Sequence, residues 1–143
     1  RAEEMFDGAK YVYLYRHPYS VIESYVRNRT GRMFDFGHAD PYLLAEEVWT
    51  VNNRNIRAFV ETVDPERVFA IRYEEMVQRP GEIMDGLCAF LGLPFDESLL
   101  APYEGERMTD GAGDRSRMIG DPNFWLRQGI DASLAGVWRT IEL

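Results

Sequence analysis

The chain has 143 residues, 45% of them hydrophobic and 28% charged, which is the make-up of one soluble globular domain able to bury a core. Its formal net charge of −8 argues against a nucleic-acid binder, which would carry a basic stripe. No run of about 18 apolar residues is present, so a membrane span is excluded, and the charged opening Arg1-Ala2-Glu3-Glu4 is no signal peptide; a cytoplasmic protein is the expectation.

The negative excess is unevenly placed. Residues 1–34 hold six basic side chains (Arg1, Lys10, Arg16, Arg27, Arg29, Arg32) against four acidic ones, so a small anion is best received at this end. Arginine, the better planar clamp for phosphate, outnumbers lysine fifteen to one, although codon usage in a GC-rich genome produces the same ratio.

Taken in chain order, the aromatic and β-branched run Lys10–Tyr15 predicts a buried strand ending at Arg16. Pro18 fits the first turn of a helix with Val21, Ile22, Tyr25 and Val26 on its apolar face. Residues 30–40 show neither helical nor strand period and read as an irregular loop. Asp40-Pro41 then opens a helix of about five or six turns, with Leu44, Val48, Val51, Asn55, Phe59 and Val63 in one stripe. Asp64-Pro65 ends it.

The unbroken apolar stretch Val68-Phe69-Ala70-Ile71, bounded by Arg67 and Arg72, predicts a strand covered on both faces of a parallel sheet. Arg79-Pro80 opens a further helix that packs Ile83, Met84, Leu87, Cys88 and Leu91 inward and stops at Gly92. The single Cys88 sits inside that apolar pattern and reads as a buried thiol. Residues 101–123 read as a long loop, and a last helix is expected from an Asp131 cap through Leu134, Val137 and Trp138. Strands alternating with helices make an α/β fold with a parallel sheet. Two strands are few for such a sheet, and no G-x-x-x-x-G-K-[ST] loop is present, so upstream material is expected to complete it.

The chemistry concentrates at Tyr13-Leu14-Tyr15-Arg16-His17-Pro18 and Ser24. In parallel α/β sheets, ligands lie beyond the carboxyl ends of strands, where helix N-termini present free N–H groups. Arg16 occupies that place, where a guanidinium serves either a phosphate or a carboxylate partner. Ser24 lies six residues past Pro18, about 9 Å along a helix, and is either a second ligand or a solvated helix residue. Nothing in the sequence places His17 or His38 beside a hydroxyl as a base.

Arg16-His17-Pro18-x5-Ser24 resembles the 3′-phosphate-binding signature of the sulfotransferases that use 3′-phosphoadenosine 5′-phosphosulfate (PAPS). A second stretch, Val68 to Met76 with Pro80 and Phe90-Leu91-Gly92-Leu93-Pro94, is similar to that family's strand, Tyr-Glu-Asp-Leu turn and Phe-Leu-Gly helix end. A third, Arg115-Ser116-Arg117-Met118-Ile119-Gly120-Asp121, resembles its C-terminal Arg-Lys-Gly-x-x-Gly-Asp-Trp loop, with Ser116, Arg117 and Pro122 replacing the Lys, Gly and Trp. His17 stands where the family has Asp or Asn. The resemblance implies a parallel-sheet P-loop-type sulfotransferase fold, with residues 1–143 as the C-terminal portion of a single domain and the N-terminal phosphate loop absent. Donor contacts would fall on Arg16, Ser24, Tyr73, Arg115 and Arg117.

It implies further that the base acting on the acceptor hydroxyl lies upstream and that no metal is used. Ala45-Glu46-Glu47-Val48-Trp49 and Gly120-Asp121-Pro122-Asn123-Phe124 are more similar to bacterial enzymes, among them sulfotransferase domains of polyketide synthases. The acceptor is then a hydroxyl-bearing small molecule or a carrier-protein-bound acyl chain. Two alternatives stay open on sequence: another P-loop phosphotransferase such as a small-molecule kinase, or a non-catalytic sulfotransferase-like interaction module.

Overall fold

The computed structural model describes residues 2–28, 40–104 and 129–143. Within these described residues, five α-helices and two strands run in the order α1 (Ala2–Met5), β1 (Tyr11–Tyr15), α2 (Pro18–Arg27), α3 (Pro41–Val60), β2 (Val68–Arg72), α4 (Tyr73–Gln78) and α5 (Pro80–Leu91). Short 3-10 turns follow at Glu97–Leu100, Ala132–Ala135 and Val137–Thr140, and another at Pro65–Arg67 leads into β2. The strands pair in parallel, in a register from Tyr11 opposite Val68 to Tyr15 opposite Arg72.

Because side chains alternate along a strand, Tyr11, Tyr13 and Tyr15 share one face of the sheet with Val68, Ala70 and Arg72. Helix α3 covers this face. The Tyr11 ring meets Phe59 edge-on at 5.1 Å, and the Tyr13 hydroxyl donates to Asn53 Oδ1 at 2.8 Å. Burial pushes the Tyr13 hydroxyl above the ordinary tyrosine pKa, with Arg57 pulling weakly the other way. Helix α5 lies on the opposite face, where Phe69 packs on Phe90 at 5.4 Å and a Cβ at Gly86 would come within 3.4 Å of the Phe69 ring.

Local chemistry explains where most elements begin and end. Asp40 accepts from the Tyr42 N–H at 2.8 Å at the head of α3, and Asp64 does the same for Glu66 at 3.0 Å before β2. Gly92, at φ 76°, ends α5 in a paired closure: its N–H reaches the Ala89 carbonyl and that of Leu93 reaches Cys88. At the amino end of the sheet, α1 is tied down by Glu3, which receives two bonds from the Arg67 guanidinium at 2.8 and 2.6 Å and one from the Tyr11 hydroxyl. Ile22, Ala45, Val63, Ile71, Val77, Cys88 and Ala135 are the buried apolar side chains among the described residues.

Four expectations change. The strands are not buried on both faces: Val12 and Leu14 are 46% and 53% exposed, while Ile71 is 4% exposed. Helix α5 covers the β2 side of that face, and among the described residues no strand flanks β1 on its other edge. The α3 stripe holds at Leu44 and Phe59, but Val51 and Asn55 face outward and Ala45 and Asn53 face inward, since Asn53 meets the Tyr13 hydroxyl. The Tyr73–Gln78 segment, expected as a turn, is a helix. The segment after Asp131 forms two 3-10 turns rather than one α-helix. Gly136 stands between them, and Val137, Trp138 and Thr140 are weak helix formers.

Candidate functional site

Both strands end at the same edge of the sheet and hand over at once to a helix. After β1 the chain passes Arg16 and His17 into α2, whose first residue is Pro18. Proline fits there because its missing N–H would have no helical partner. The His17 side chain caps the helix, its Nδ1 accepting from the Tyr19 N–H at 3.3 Å. After β2, the chain enters α4 directly at Tyr73.

This neighbouring entry brings Tyr73 under Arg16. The Arg16 guanidinium carbon lies 4.3 Å from the Tyr73 ring centroid, a cation–π contact. Arg16 Nε is buried and has no hydrogen-bond partner. Among the described residues, no ion pair involves Arg16. A buried donor left unsatisfied costs about 1–3 kcal/mol, more when charged, so an arrangement that positions a guanidinium and leaves its Nε bare suits an incoming anion. An anionic oxygen at that nitrogen would remove the deficit.

Glu74, 6% exposed, holds the two strand ends together. Its Oε1 accepts the backbone N–H of His17 at 2.9 Å, and its Oε2 receives Arg72 Nε at 3.3 Å. The turn carrying Arg16 is thus pinned to the turn carrying Tyr73 by a buried carboxylate. The His17 ring stacks on Trp138 at 4.1 Å and 11°, and meets Tyr19 edge-on at 5.3 Å. Ser20, 3% exposed, has a buried hydroxyl with no partner one turn into α2.

Of the residues expected at the site, Arg16 and Tyr73 are in contact. Ser24 lies further along α2 and accepts from the Asn28 amide at 3.1 Å. Arg115 and Arg117 lie outside the described residues, as does His38. Sequence reasoning missed Glu74 and Trp138 as parts of this site. Glu74 was visible only as a letter of a motif, since nothing in the sequence says that its carboxylate turns inward. Trp138 is separated from His17 by most of the chain. Among the described residues, no group of three or more His, Cys, Asp or Glu side chains could hold a metal ion, and no helix is long and apolar enough to cross a membrane.

The family model described as "Sulfotransferase family" matches residues 1–97, a stretch containing both strands, Arg16, Ser24, Tyr73 and Glu74. The chain belongs to the sulfotransferase family. Its structure is similar to "Sulfotransferase Domain from the Curacin Biosynthetic Pathway", with 48% identity and a TM-score of 0.90 over 99% of this chain and 50% of that one. It is likewise similar to "Sulfotransferase Domain from the Synechococcus PCC 7002 Olefin Synthase", with 44% identity and a TM-score of 0.83 over 99% of this chain and 46% of that one. No curated protein sequence matches. The chain therefore spans about half the length of the sulfotransferase structures it matches, and has their α/β fold with a parallel sheet.

Proposed function

We propose that this chain is the C-terminal portion of a single sulfotransferase domain that transfers a sulfuryl group from PAPS to an acceptor hydroxyl, and that it holds the donor's 3′-phosphate. The observation carrying this reading is Arg16: a guanidinium at the carboxyl end of a parallel strand, faced by Tyr73, with its Nε buried and bare. The flanking β1 edge and the exposed Val12 and Leu14 support the view that further strands of the same domain join the sheet there.

When bound, the donor supplies the sulfuryl group and a bisphosphate leaving group. Arg16 would give charge-assisted hydrogen bonds to its 3′-phosphate and Tyr73 would lie beside the nucleotide. Ser24 would donate its hydroxyl to the same phosphate while keeping the Asn28 contact. Arg115 and Arg117 would close on it from the C-terminal loop. These groups bind and orient. In the transfer itself, the acceptor oxygen forms a bond to sulfur as the bond from sulfur to the donor's phosphate oxygen breaks. The hydroxyl proton passes to a base outside this chain.

The acceptor is a small molecule or an acyl chain on a carrier protein. The likeness to sulfotransferase domains from a biosynthetic pathway and from an olefin synthase supports the tethered form. The deciding measurement is calorimetric titration of the full-length protein with adenosine 3′,5′-bisphosphate. Arg16→Ala should weaken binding by about 2 kcal/mol or more, roughly thirtyfold. An unchanged affinity sinks the assignment.

A further inference from the structure

The C-terminal segment reaches back to the head of α2, although residues 105–128 intervene in sequence. Its first 3-10 turn, Ala132–Ala135, packs against α4 and buries Ala135 to 6% exposure. Asp131 fixes that turn by accepting from the Ser133 N–H at 2.9 Å. Gly136 then redirects the chain, so that Trp138 lies flat on the His17 ring at 4.1 Å. Leu143 continues along α2, lining a hollow of about 480 Å³ with Pro18 and Tyr19. The tail is thus laid across both helix entries at this edge of the sheet: α4, which follows β2, and α2, which follows β1.

His17 is the piece that makes this bridge consequential. It occupies one residue between Arg16 and Pro18, with its backbone N–H, its Nδ1 and its ring face all engaged. Its N–H goes to the buried Glu74 carboxylate, its Nδ1 caps α2, and its ring face is taken by Trp138. An aspartate or asparagine at this position would provide the cap but has no ring to stack. Arg139, with its guanidinium 5.1 Å from the Trp138 ring, braces the indole from its other neighbour in sequence.

We infer that Trp138 is a positioning residue for the anion site: by stacking on His17 it fixes the turn that aims Arg16, so that nucleotide binding depends on docking of the C-terminal segment. This rests on the reading of Arg16 as the 3′-phosphate ligand. Neither Trp138 nor His17 need touch the nucleotide for the effect.

The test uses the full-length protein and adenosine 3′,5′-bisphosphate, with Kd and donor KM measured together. Trp138→Ala should raise both about three- to tenfold, the usual worth of an aromatic stack, while kcat at saturating donor holds. His17→Asn, which keeps a capping acceptor, should give a similar loss. The double variant should be no weaker than either single one, because both remove the same contact. Trp138→Phe should recover most of the affinity and serves if the alanine variant fails to fold. Losses that multiply in the double variant, or a lower melting temperature with unchanged Kd and donor KM, overturn the inference. Failure of the wild-type protein to bind the bisphosphate overturns the reading of Arg16 instead.

Discussion

Two arginines stand at the carboxyl edge of the same two-stranded sheet, and they have opposite fates. Arg72 ends β2 and spends its Nε on Glu74, with its side chain still 43% exposed. Arg16 follows β1, faces Tyr73 and keeps a buried Nε without a partner. Residue type, strand position and helix entry are nearly the same for both. What separates them is one carboxylate two residues beyond Arg72, which satisfies that arginine and at the same time pins the backbone beside the other. If Arg16 receives an anion as proposed, the site is made by leaving a cation without a counter-ion among the described residues rather than by adding positive charge.

The largest effect expected to break this contrast is at Arg16 itself, where alanine should cost about thirtyfold in bisphosphate affinity. Glu74→Ala comes next. It strips the part-buried His17 N–H of its charged acceptor, so the full-length protein should lose about 1–3 kcal/mol in urea unfolding. Glu74→Gln retains an oxygen for that N–H and should cost markedly less. Arg72→Ala should leave bisphosphate affinity within about twofold, since its guanidinium is half exposed and already paired. A loss at Arg72 equal to that at Arg16 would erase the distinction.

The smallest expected effect sharpens the comparison at the other end of the sheet. Arg67, beside Glu3, is the paired extreme. Its bonds, with that of Tyr11, hold the Glu3 carboxyl below the usual glutamate range. A carboxylate with a depressed folded pKa contributes its stability above its unfolded value, near pH 4, and loses it as pH falls through the folded one. The difference in melting temperature between wild type and Glu3→Gln should therefore be present at neutral pH and shrink below about pH 4. A difference that persists in acid argues against the ion pair as its source.

Much of this was legible in the residues. Periodicity and caps located β1, β2, α5 and the starts of α2 and α3 to within a residue or two, since Pro18, Asp40-Pro41 and Gly92 each have one strong local preference, whereas α3 ends at Val60, short of the Val63 expected before Asp64-Pro65. Arg16 was picked out by strand-end position and Tyr73 by motif, but their mutual contact depends on the parallel register of two strands far apart in sequence. The inward turn of Asn53 was hidden because its partner, the Tyr13 hydroxyl, lies on a strand 40 residues away in sequence. The Trp138 stack was hidden for a similar reason, as it joins residues with no local signal in common.

The parallel register also bears on how quickly the site can assemble. His17 and Glu74 are 57 positions apart, and all of α3 lies between their strands. Closing so long a loop is entropically costly before any ladder bond rewards it, and contacts of this kind slow folding. A helix of 20 residues shortens that search by spanning roughly 30 Å as a rigid rod. The turn carrying Arg16 should therefore be among the last parts of this chain to become native, and Asp40→Ala, which weakens the head of α3, should delay its formation more than that of α5.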